Sequence, residues 1–237
     1  MPSNISQWLI DRFSAGPSES KVTQVANLQT TIRDVLGLDD YDTFLQGSYR
    51  NGTAIADIND VDIVARRKAT NAPLSSPRWE SLFNTIASRL RNSYRVSGTV
   101  SIGDKCVKLK GTSLNADIVP AVAIGDFTKD PIAIWSRRKK EGRPNYPRTH
   151  YDNGVGKHRA TSQAFKPTVR LFKRWARQYP GFDKTAPSFY IECAVHAVST
   201  SKFSTYLAVP AQQRLCLDKE APLNASWEFM RHDRVPR

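Results

Sequence analysis

Three aspartates have the residue type and spacing to do chemistry. Asp60 and Asp62 are separated by one residue within an apolar stretch. Alternate side chains of an extended segment share a face, so these two carboxylates can bind one hard cation together. Asp117 lies in a second apolar stretch, where a buried charge is costly unless a metal or another partner compensates it. Three such acids can hold two Mg²⁺ ions, or Mn²⁺ in their place, which would neutralise a phosphate and activate an attacking hydroxyl.

A glycine–serine pair precedes these acids. Because glycine has no side chain, the backbone N–H groups around Gly47 and the hydroxyl of Ser48 can approach a phosphate closely. Taken singly, a glycine–serine pair is usually a turn, and Asp60 with Asp62 would usually be a solvated pair on a strand edge. Their occurrence in this order, with Asp117 in a later predicted strand, favours a catalytic site that takes a triphosphate.

The composition is that of a folded, basic protein. The chain has 237 residues, 40% of them apolar, and 35 Lys and Arg against 22 Asp and Glu give a net charge of +13. These values exclude disorder throughout the chain and fit one large domain or two small lobes. A pI near 9.9 favours polyanionic partners, namely nucleotides, nucleic acid or a membrane surface.

Targeting signals and cysteine patterns are absent from the sequence. No segment has the roughly 18 to 20 consecutive apolar residues of a membrane span, and Asp11 and Arg12 interrupt the N-terminal stretch where a signal peptide would stay apolar. Cys106, Cys193 and Cys216 lie far apart without a C-x-x-C pair, which argues against disulfides and a thiolate zinc site. We therefore expect a cytoplasmic protein with reduced thiols and no membrane partner.

Apolar spacing predicts the elements that must position the acids. The chain should begin with helices, continue with strands and end with helices, an α+β order without internal repeats. Residues 69–77 and 137–162 lack apolar periodicity and are predicted to be loops. The predicted helices cover residues 7–13, 18–36, 78–91, 165–179 and 187–199, and the predicted strands cover residues 43–45, 61–65, 94–99, 105–110 and 116–124.

Three strings of the sequence together resemble a known family. QGSYRNGTAI, DVDIV and NADIVP are similar to the DNA polymerase β-like nucleotidyltransferases, and within them to the bacterial CD-NTases related to cyclic GMP-AMP synthase and oligoadenylate synthase. The similarity covers about residues 42–199. It implies an α+β fold, with a catalytic lobe of mixed sheet over residues 1–135 and a basic, helical C-lobe over residues 136–237. Family members usually continue further, so we expect a short or truncated C-lobe.

The resemblance also implies roles for single residues. Asp60 and Asp62 would bind both Mg²⁺ ions, while Asp117 would bind one ion and deprotonate the attacking ribose hydroxyl. Four residues of the first string would hold the phosphates of the donor NTP, such as ATP or GTP. These four are Gln46, Gly47, Ser48 and Thr53.

In the C-lobe the resemblance is looser. It implies that Lys173 reaches the triphosphate, that Ser188 contacts phosphate and that Phe189 or Tyr190 stacks on a base. By their chemistry alone, Lys173 is equally a solvated helix side chain and Ser188 equally a helix N-cap. Phe165 and Trp175 are predicted to be core residues.

Most of the net charge lies in one segment. Residues 129–177 hold 14 Lys and Arg against 3 Asp and Glu, which is 14 − 3 = +11. We interpret this segment as flanking a nucleotide cleft and attracting NTPs, and RNA or DNA contact through residues 137–177 is the alternative. His150 and His158 lie here without a zinc-binding pattern.

Three functions remain open on the sequence. The first is a Mg²⁺-dependent enzyme that joins NTPs into a cyclic or linear oligonucleotide second messenger, which the resemblance connects with antiphage signalling. The second is a terminal transferase that adds nucleotides to RNA, of the CCA-adding, poly(A) or tRNA-modifying type. The third is a nucleotide- or RNA-binding module without turnover.

Overall fold

The computed structural model describes residues 7–125, 130–178 and 187–203. Its helices and strands alternate in the first two thirds of the chain, and helices follow. In chain order they are α1 (Gln7–Ser14), α2 (Glu19–Leu36), β1 (Tyr41–Gln46), α3 (Gly47–Asn51), β2 (Asp60–Asn71), α4 (Ser76–Arg91), β3 (Thr99–Ile102), β4 (Val107–Lys110), β5 (Asn115–Ala123), β6 (Ile132–Ser136), β7 (Glu141–Asn145), α5 (Pro147–Ala160), α6 (Phe165–Arg177), α7 (Ser188–Ala197) and a 3₁₀ turn (Thr200–Phe203).

The strands form one mixed sheet in the order β1-β2-β5-β4-β3, and β6 and β7 extend it from β5. Strands β2 and β5 run parallel, and all other pairs are antiparallel. Residues 118–123 of β5 are all buried, because β5 lies inside the sheet with neighbours on both sides. The fold is therefore α+β with a helical C-terminal part, as predicted.

One face of the sheet packs against α2 and α4. Val61 and Ile63 of β2 are fully buried on this face. Asp62, which lies between them, points the other way because side chains alternate along a strand. Helix α2 begins after its N-cap Ser18, whose side chain accepts a hydrogen bond from the Lys21 N–H at 3.3 Å. The two helices contribute these core residues: Val25, Ile32, Leu36, Trp79, Leu82, Phe83, Ile86 and Leu90.

The prediction of a loop over residues 137–162 is wrong. Strand β7 pairs only with β6 in the described sheet, so it is an edge strand with exposed residues and carries Pro144, which edge strands tolerate. Helix α5 has no buried residue and contains Gly154 and Gly156. Neither element therefore shows the apolar periodicity on which the prediction relied.

Three shorter predictions also need correction. Residues 94–98 are not a strand, since β3 begins only at Thr99. Strand β2 continues to Asn71 into the predicted loop of residues 69–77. Gly47–Asn51, which lies outside the predicted helices, forms the short helix α3. The remaining predicted helices and strands are confirmed, with ends shifted by a few residues.

The structure divides into two compact units. The sheet unit comprises Pro17–Gly52 and Asp57–Asp152, and the helical unit comprises Met1–Gly16, Thr53–Ala56 and Asn153–Arg237. Both units are discontinuous in sequence, unlike the simple division at residues 135/136 expected above.

The helical unit has its own core. Phe165 is 1% exposed at its centre, which confirms that prediction, and Trp175 is partly buried against the same cluster. The residues grouped with Phe165 are Val169, Phe172, Ala176, Ile191, Val195 and Phe203. Cys216 and the weakly periodic C-terminal residues lie outside the described residues. Among the helices described, none has the length and apolar character needed to cross a bilayer.

Candidate active site

The strand register brings the three predicted acids to one place on the sheet. Parallel pairing sets Asp62 of β2 directly beside Asp117 of β5. Asp60 lies two residues before Asp62, so all three point to the face opposite the helix-packed core. Asp62 and Asp117 are half-buried and Asp60 is exposed. The three aspartates therefore form an acidic group at the beginning of β2 and β5, and their role as metal ligands stays a prediction.

Two neighbours of Asp60 were not predicted. Asn115 is its register partner on β5, and the Asn115 amide donates a hydrogen bond to Asp60 Oδ1 at 3.1 Å. The Tyr49 hydroxyl donates to the Ile58 carbonyl oxygen at 3.0 Å, and burial, followed by the charge of Asp60, raises the pKa of Tyr49. The N-x-D spacing of Asn115 and Asp117 repeats that of Asp60 and Asp62, which is the signal that could have identified Asn115.

The predicted phosphate-binding residues of β1 and α3 adjoin the acids. Gln46 ends β1 and is the antiparallel register partner of Asp62. Its side-chain oxygen accepts a hydrogen bond from the Asn145 amide at 3.0 Å, so β7 holds Gln46 in place. Ser48 follows in α3 and is half-buried. Gln46, Gly47 and Ser48 thus lie on the β1 side of the acidic group, where a phosphate bound by that group would meet them.

Gly47 has a steric role beside the one predicted for it. Its φ of +65° is a conformation that residues with a side chain rarely adopt. A Cβ at this position would collide with Oδ2 of Asp62. The absence of a side chain at Gly47 therefore allows α3 to begin immediately against the Asp62 carboxylate.

Cys106 is a neighbour of Asp117 that the sequence analysis placed only among the reduced thiols. The thiol precedes β4, is 7% exposed and hydrogen-bonds to the Asp117 carboxylate. Burial, and then the charge of Asp117, raises the pKa of Cys106 to about 12. The thiol is therefore protonated at neutral pH and donates to Asp117. No local sequence pattern reveals this contact, because Cys106 precedes β4 whereas Asp117 lies on β5.

The acidic group suits Mg²⁺ that is shared with a substrate. Among the described residues, no three His, Cys, Asp or Glu side chains converge into a ready-made ligand set. Within the same residues, Asp60 and Asp117 form no ion pair with Lys or Arg. Mg²⁺ usually binds through one or two carboxylates together with water and substrate phosphates, rather than in a cage made of protein alone. Adjacent carboxylates at an accessible strand end fit that mode of binding.

Two predicted phosphate-binding residues are enclosed within the helical unit. Thr53 is fully buried, and the side chains of Lys173 and Glu192 are each 6% exposed. The Lys173 ammonium group donates to the Thr53 hydroxyl at 3.1 Å and to Oε2 of Glu192 at 3.3 Å. The Thr53 hydroxyl in turn donates to the same Oε2 at 2.8 Å. Glu192 was not singled out from the sequence, and phosphate contacts by Thr53 and Lys173 stay predictions.

The other predicted C-lobe residues are exposed. Ser188 is the first residue of α7, and Phe189 follows it with 49% of its surface exposed. Pro187, not Ser188, occupies the N-cap position. The phosphate contact of Ser188 and the base stacking of Phe189 are not tested by this geometry.

Comparisons with known proteins agree with this arrangement. The family model of the cGAS/DncV-like nucleotidyltransferase C-terminal helical domain matches residues 152–219. The chain is 29% identical over 188 residues to a cyclic UMP-AMP synthase of Rhodothermus marinus. The aligned region covers 68% of this chain and 65% of the relative. The chain therefore resembles the CD-NTases in sequence. A cyclic dipurine nucleotide synthase of Elizabethkingia meningoseptica is 30% identical over 190 residues, covering 68% of this chain and 64% of that CD-NTase. The chain thus matches just under two thirds of the length of these relatives.

Solved CD-NTase structures show the same fold. The E. meningoseptica CdnE cyclic dinucleotide synthase, solved with GTP and Apcpp, superimposes with a TM-score of 0.66 at 26% identity, covering 84% of this chain and 78% of that one. The R. marinus CdnE c-UMP-AMP synthase, solved with Apcpp and Upnpp, gives 0.68 at 22% identity, covering 97% and 84%. The helical C-terminal part expected from the resemblance is therefore confirmed.

Proposed function

We propose that this protein joins NTPs into a cyclic or linear oligonucleotide second messenger, in a Mg²⁺-dependent reaction that serves antiphage signalling. The observation that carries the proposal is the register pairing of Asp62 with Asp117, with Asp60 on the same face and Gln46 paired with Asp62 on the β1 side. The relatives named above are synthases of cyclic nucleotides, and the structures with Apcpp, Upnpp or GTP support NTPs as the substrate class.

The proposed step is transfer of a nucleotidyl group to a ribose hydroxyl. The hydroxyl oxygen of one NTP attacks the α-phosphorus of a second, a new P–O bond forms, and the bond to the leaving pyrophosphate breaks. Asp117 accepts the hydroxyl proton. Mg²⁺ held by Asp60, Asp62 and Asp117 would offset charge on the phosphates and lower the pKa of the hydroxyl.

The remaining site residues bind and orient. Ser48 and the backbone around Gly47 hold the donor phosphates, and Gln46 lies beside Asp62 in the register. The Cys106 thiol donates to Asp117 and thereby orients the carboxylate that takes the proton. Because these groups are placed by strand pairing, they need little rearrangement when substrate binds.

The basic segment is proposed to attract NTPs, as its net charge indicates. Part of its charge is compensated, since Arg137 and Lys140 pair with Glu80, and Arg143 with Glu141. Exposed Lys139 has no acidic partner among the described residues, whereas the N–H of Arg138 donates to Asp104 at 2.7 Å. A cytoplasmic location, where NTPs are abundant, belongs to the same proposal.

Pyrophosphate release tests the proposal against the RNA alternative. The protein is incubated with Mg²⁺ and the four NTPs, singly and mixed, with and without a mixed RNA acceptor. We expect release without RNA, and only with the NTPs that the product contains. Release that strictly requires RNA would identify a terminal transferase. Binding of NTPs without release under either condition would identify a non-catalytic module.

A further inference from the structure

Glu192 is a buried carboxylate that the proposed mechanism does not use. Its Oε2 receives hydrogen bonds from the Thr53 hydroxyl at 2.8 Å and from the Lys173 ammonium group at 3.3 Å. All three residues belong to the helical unit. Enclosing a carboxylate and an ammonium group is costly unless their geometry compensates the lost hydration, and here a shared hydroxyl and the Thr53 carbonyl oxygen complete the set.

The cluster fixes one particular chain segment. Lys173 lies on α6 and Glu192 on α7, whereas Thr53 begins the segment Thr53–Ala56, which is distant from both in sequence. Ala54 and Ile55 of this segment are each 2% exposed. The bonds to Thr53 therefore hold a short, enclosed stretch of chain against two helices of the same unit.

This stretch follows directly on the helix that carries Ser48. Gly52 is the C-cap of α3, and its N–H donates to the carbonyl oxygens of Ser48 and Tyr49. The next peptide bond leads from Gly52 to Thr53. Thr53 is therefore covalently joined to the residue whose N–H caps the Ser48 carbonyl.

We propose that Glu192 is a positioning residue for donor-nucleotide binding. Its carboxylate holds Thr53 and the Lys173 ammonium group together, and so fixes the segment that leads out of α3. This inference rests on the proposed function, because the ligand it invokes is the NTP of that reaction. Its physical basis is the single oxygen shared by both donors and the negative charge that this oxygen carries, which a neutral side chain lacks.

The test compares Glu192→Gln with Asp11→Asn, a matched carboxylate-to-amide change at an exposed position of α1. Affinity for a non-hydrolysable NTP analogue with Mg²⁺ is measured by calorimetry, so that turnover is not required. Glu192→Gln should lower the affinity for the analogue about tenfold, since the buried ammonium group of Lys173 loses its counter-charge. It should lower Tm by about 10 °C and speed hydrogen exchange at residues 53–56. Asp11→Asn should change none of the three.

The outcomes separate this inference from the proposed function. An unchanged analogue affinity in folded Glu192→Gln, with Tm lowered, would overturn the positioning role and leave a structural ion pair. If Glu192→Gln does not fold, the same measurement is made on Thr53→Val. We expect this variant to bind the analogue about threefold more weakly, and an unchanged affinity would overturn the positioning role. If the wild-type protein binds no NTP, the proposed function and this inference both fail, and the exchange rates still show whether the cluster holds the segment.

Discussion

Asp60, Asp62 and Asp117 in the sheet unit and Glu192 in the helical unit are all carboxylates among apolar neighbours, but their surroundings differ. Glu192 is enclosed and receives an ammonium group and a hydroxyl on one oxygen. Asp60 and Asp117 are more accessible, and their hydrogen bonds come from the neutral donors Asn115 and Cys106.

This difference shows how the carboxylates of each unit affect the stability of the folded state. A carboxylate that is enclosed with a cation contributes to the folded state, and its removal leaves an uncompensated buried charge. Carboxylates grouped without a cation repel one another, and the folded state tolerates them at the cost of stability. The helical unit therefore carries a carboxylate that is already compensated, whereas Asp60 and Asp117 of the sheet unit form no ion pair with Lys or Arg of the described residues.

Neutralising the acidic group should have the largest effect on activity and no adverse effect on stability. Asp60→Asn with Asp62→Asn should lower the rate of NTP turnover by about a thousandfold or more, because metal-assisted charge stabilisation is lost. Pyrophosphate release measures the rate, and calorimetric unfolding without metal should give an unchanged or higher Tm, since repulsion is relieved. A lowered Tm together with full activity would show that the acidic group stabilises the fold, as Glu192 does, and does not serve turnover.

Filling the space at Gly47 should affect both activity and stability. Gly47→Ala places a Cβ against Asp62 and forces a side-chain-bearing residue into positive φ. We expect turnover to fall about 100-fold, and the free energy of unfolding to drop by about 1 to 3 kcal/mol. Gly156→Ala in α5, where an added Cβ meets nothing within 4 Å, is the control. Equal behaviour of the two variants would contradict the steric role.

Removing the thiol beside Asp117 should have a smaller effect. Cys106→Ala deletes a neutral donor and should lower turnover about three- to tenfold, whereas Cys106→Ser keeps a donor and should stay within about twofold of wild type. Steady-state kinetics on both variants provides the measurement. If alanine and serine behave alike, the hydrogen bond to Asp117 does not orient that carboxylate.

The smallest effect is expected at an ion-paired acid of the sheet unit. Hydrogen bonding and charge from Arg137 lower the pKa of Glu80, so the pair stabilises the fold above the unfolded-state pKa of the carboxyl. This stability is lost as the pH falls through the folded-state pKa. Glu80→Gln should cost about 0.5 kcal/mol at pH 7, and the difference from wild type should vanish once the pH lies below the folded-state pKa of Glu80. A difference that persists in acid would exclude ionisation of Glu80 as its cause.

The sequence was sufficient for most of the sheet and for the acidic group. A continuous apolar stretch predicts strand β5. Asp60, Asp62 and Asp117 are conspicuous because they are charged residues within such stretches. Two missed elements lack an apolar face: β7 is an exposed edge strand, and α5 buries no residue. The apolar strand β6 was missed as well.

Contacts between distant parts of the chain could not be predicted. The hydrogen bond of Cys106 to Asp117 depends on strand pairing, and the cluster of Thr53, Lys173 and Glu192 joins residues up to 139 positions apart. Gly47 was predicted for its access to phosphate, whereas its contact with Asp62 appears only once the register of β1 and β2 is known.

The most direct test of the central claim is mass spectrometry of the small-molecule products formed by wild type and Asp117→Asn. Each protein is incubated with Mg²⁺ and all four NTPs without RNA, after circular dichroism has shown that both are folded. We expect wild type to form a cyclic or short linear oligonucleotide. The variant should form at least about a hundredfold less of this product, because it lacks the group that accepts the proton. Equal product from both proteins would contradict the assignment of Asp117 and, with it, of the acidic group as the active site.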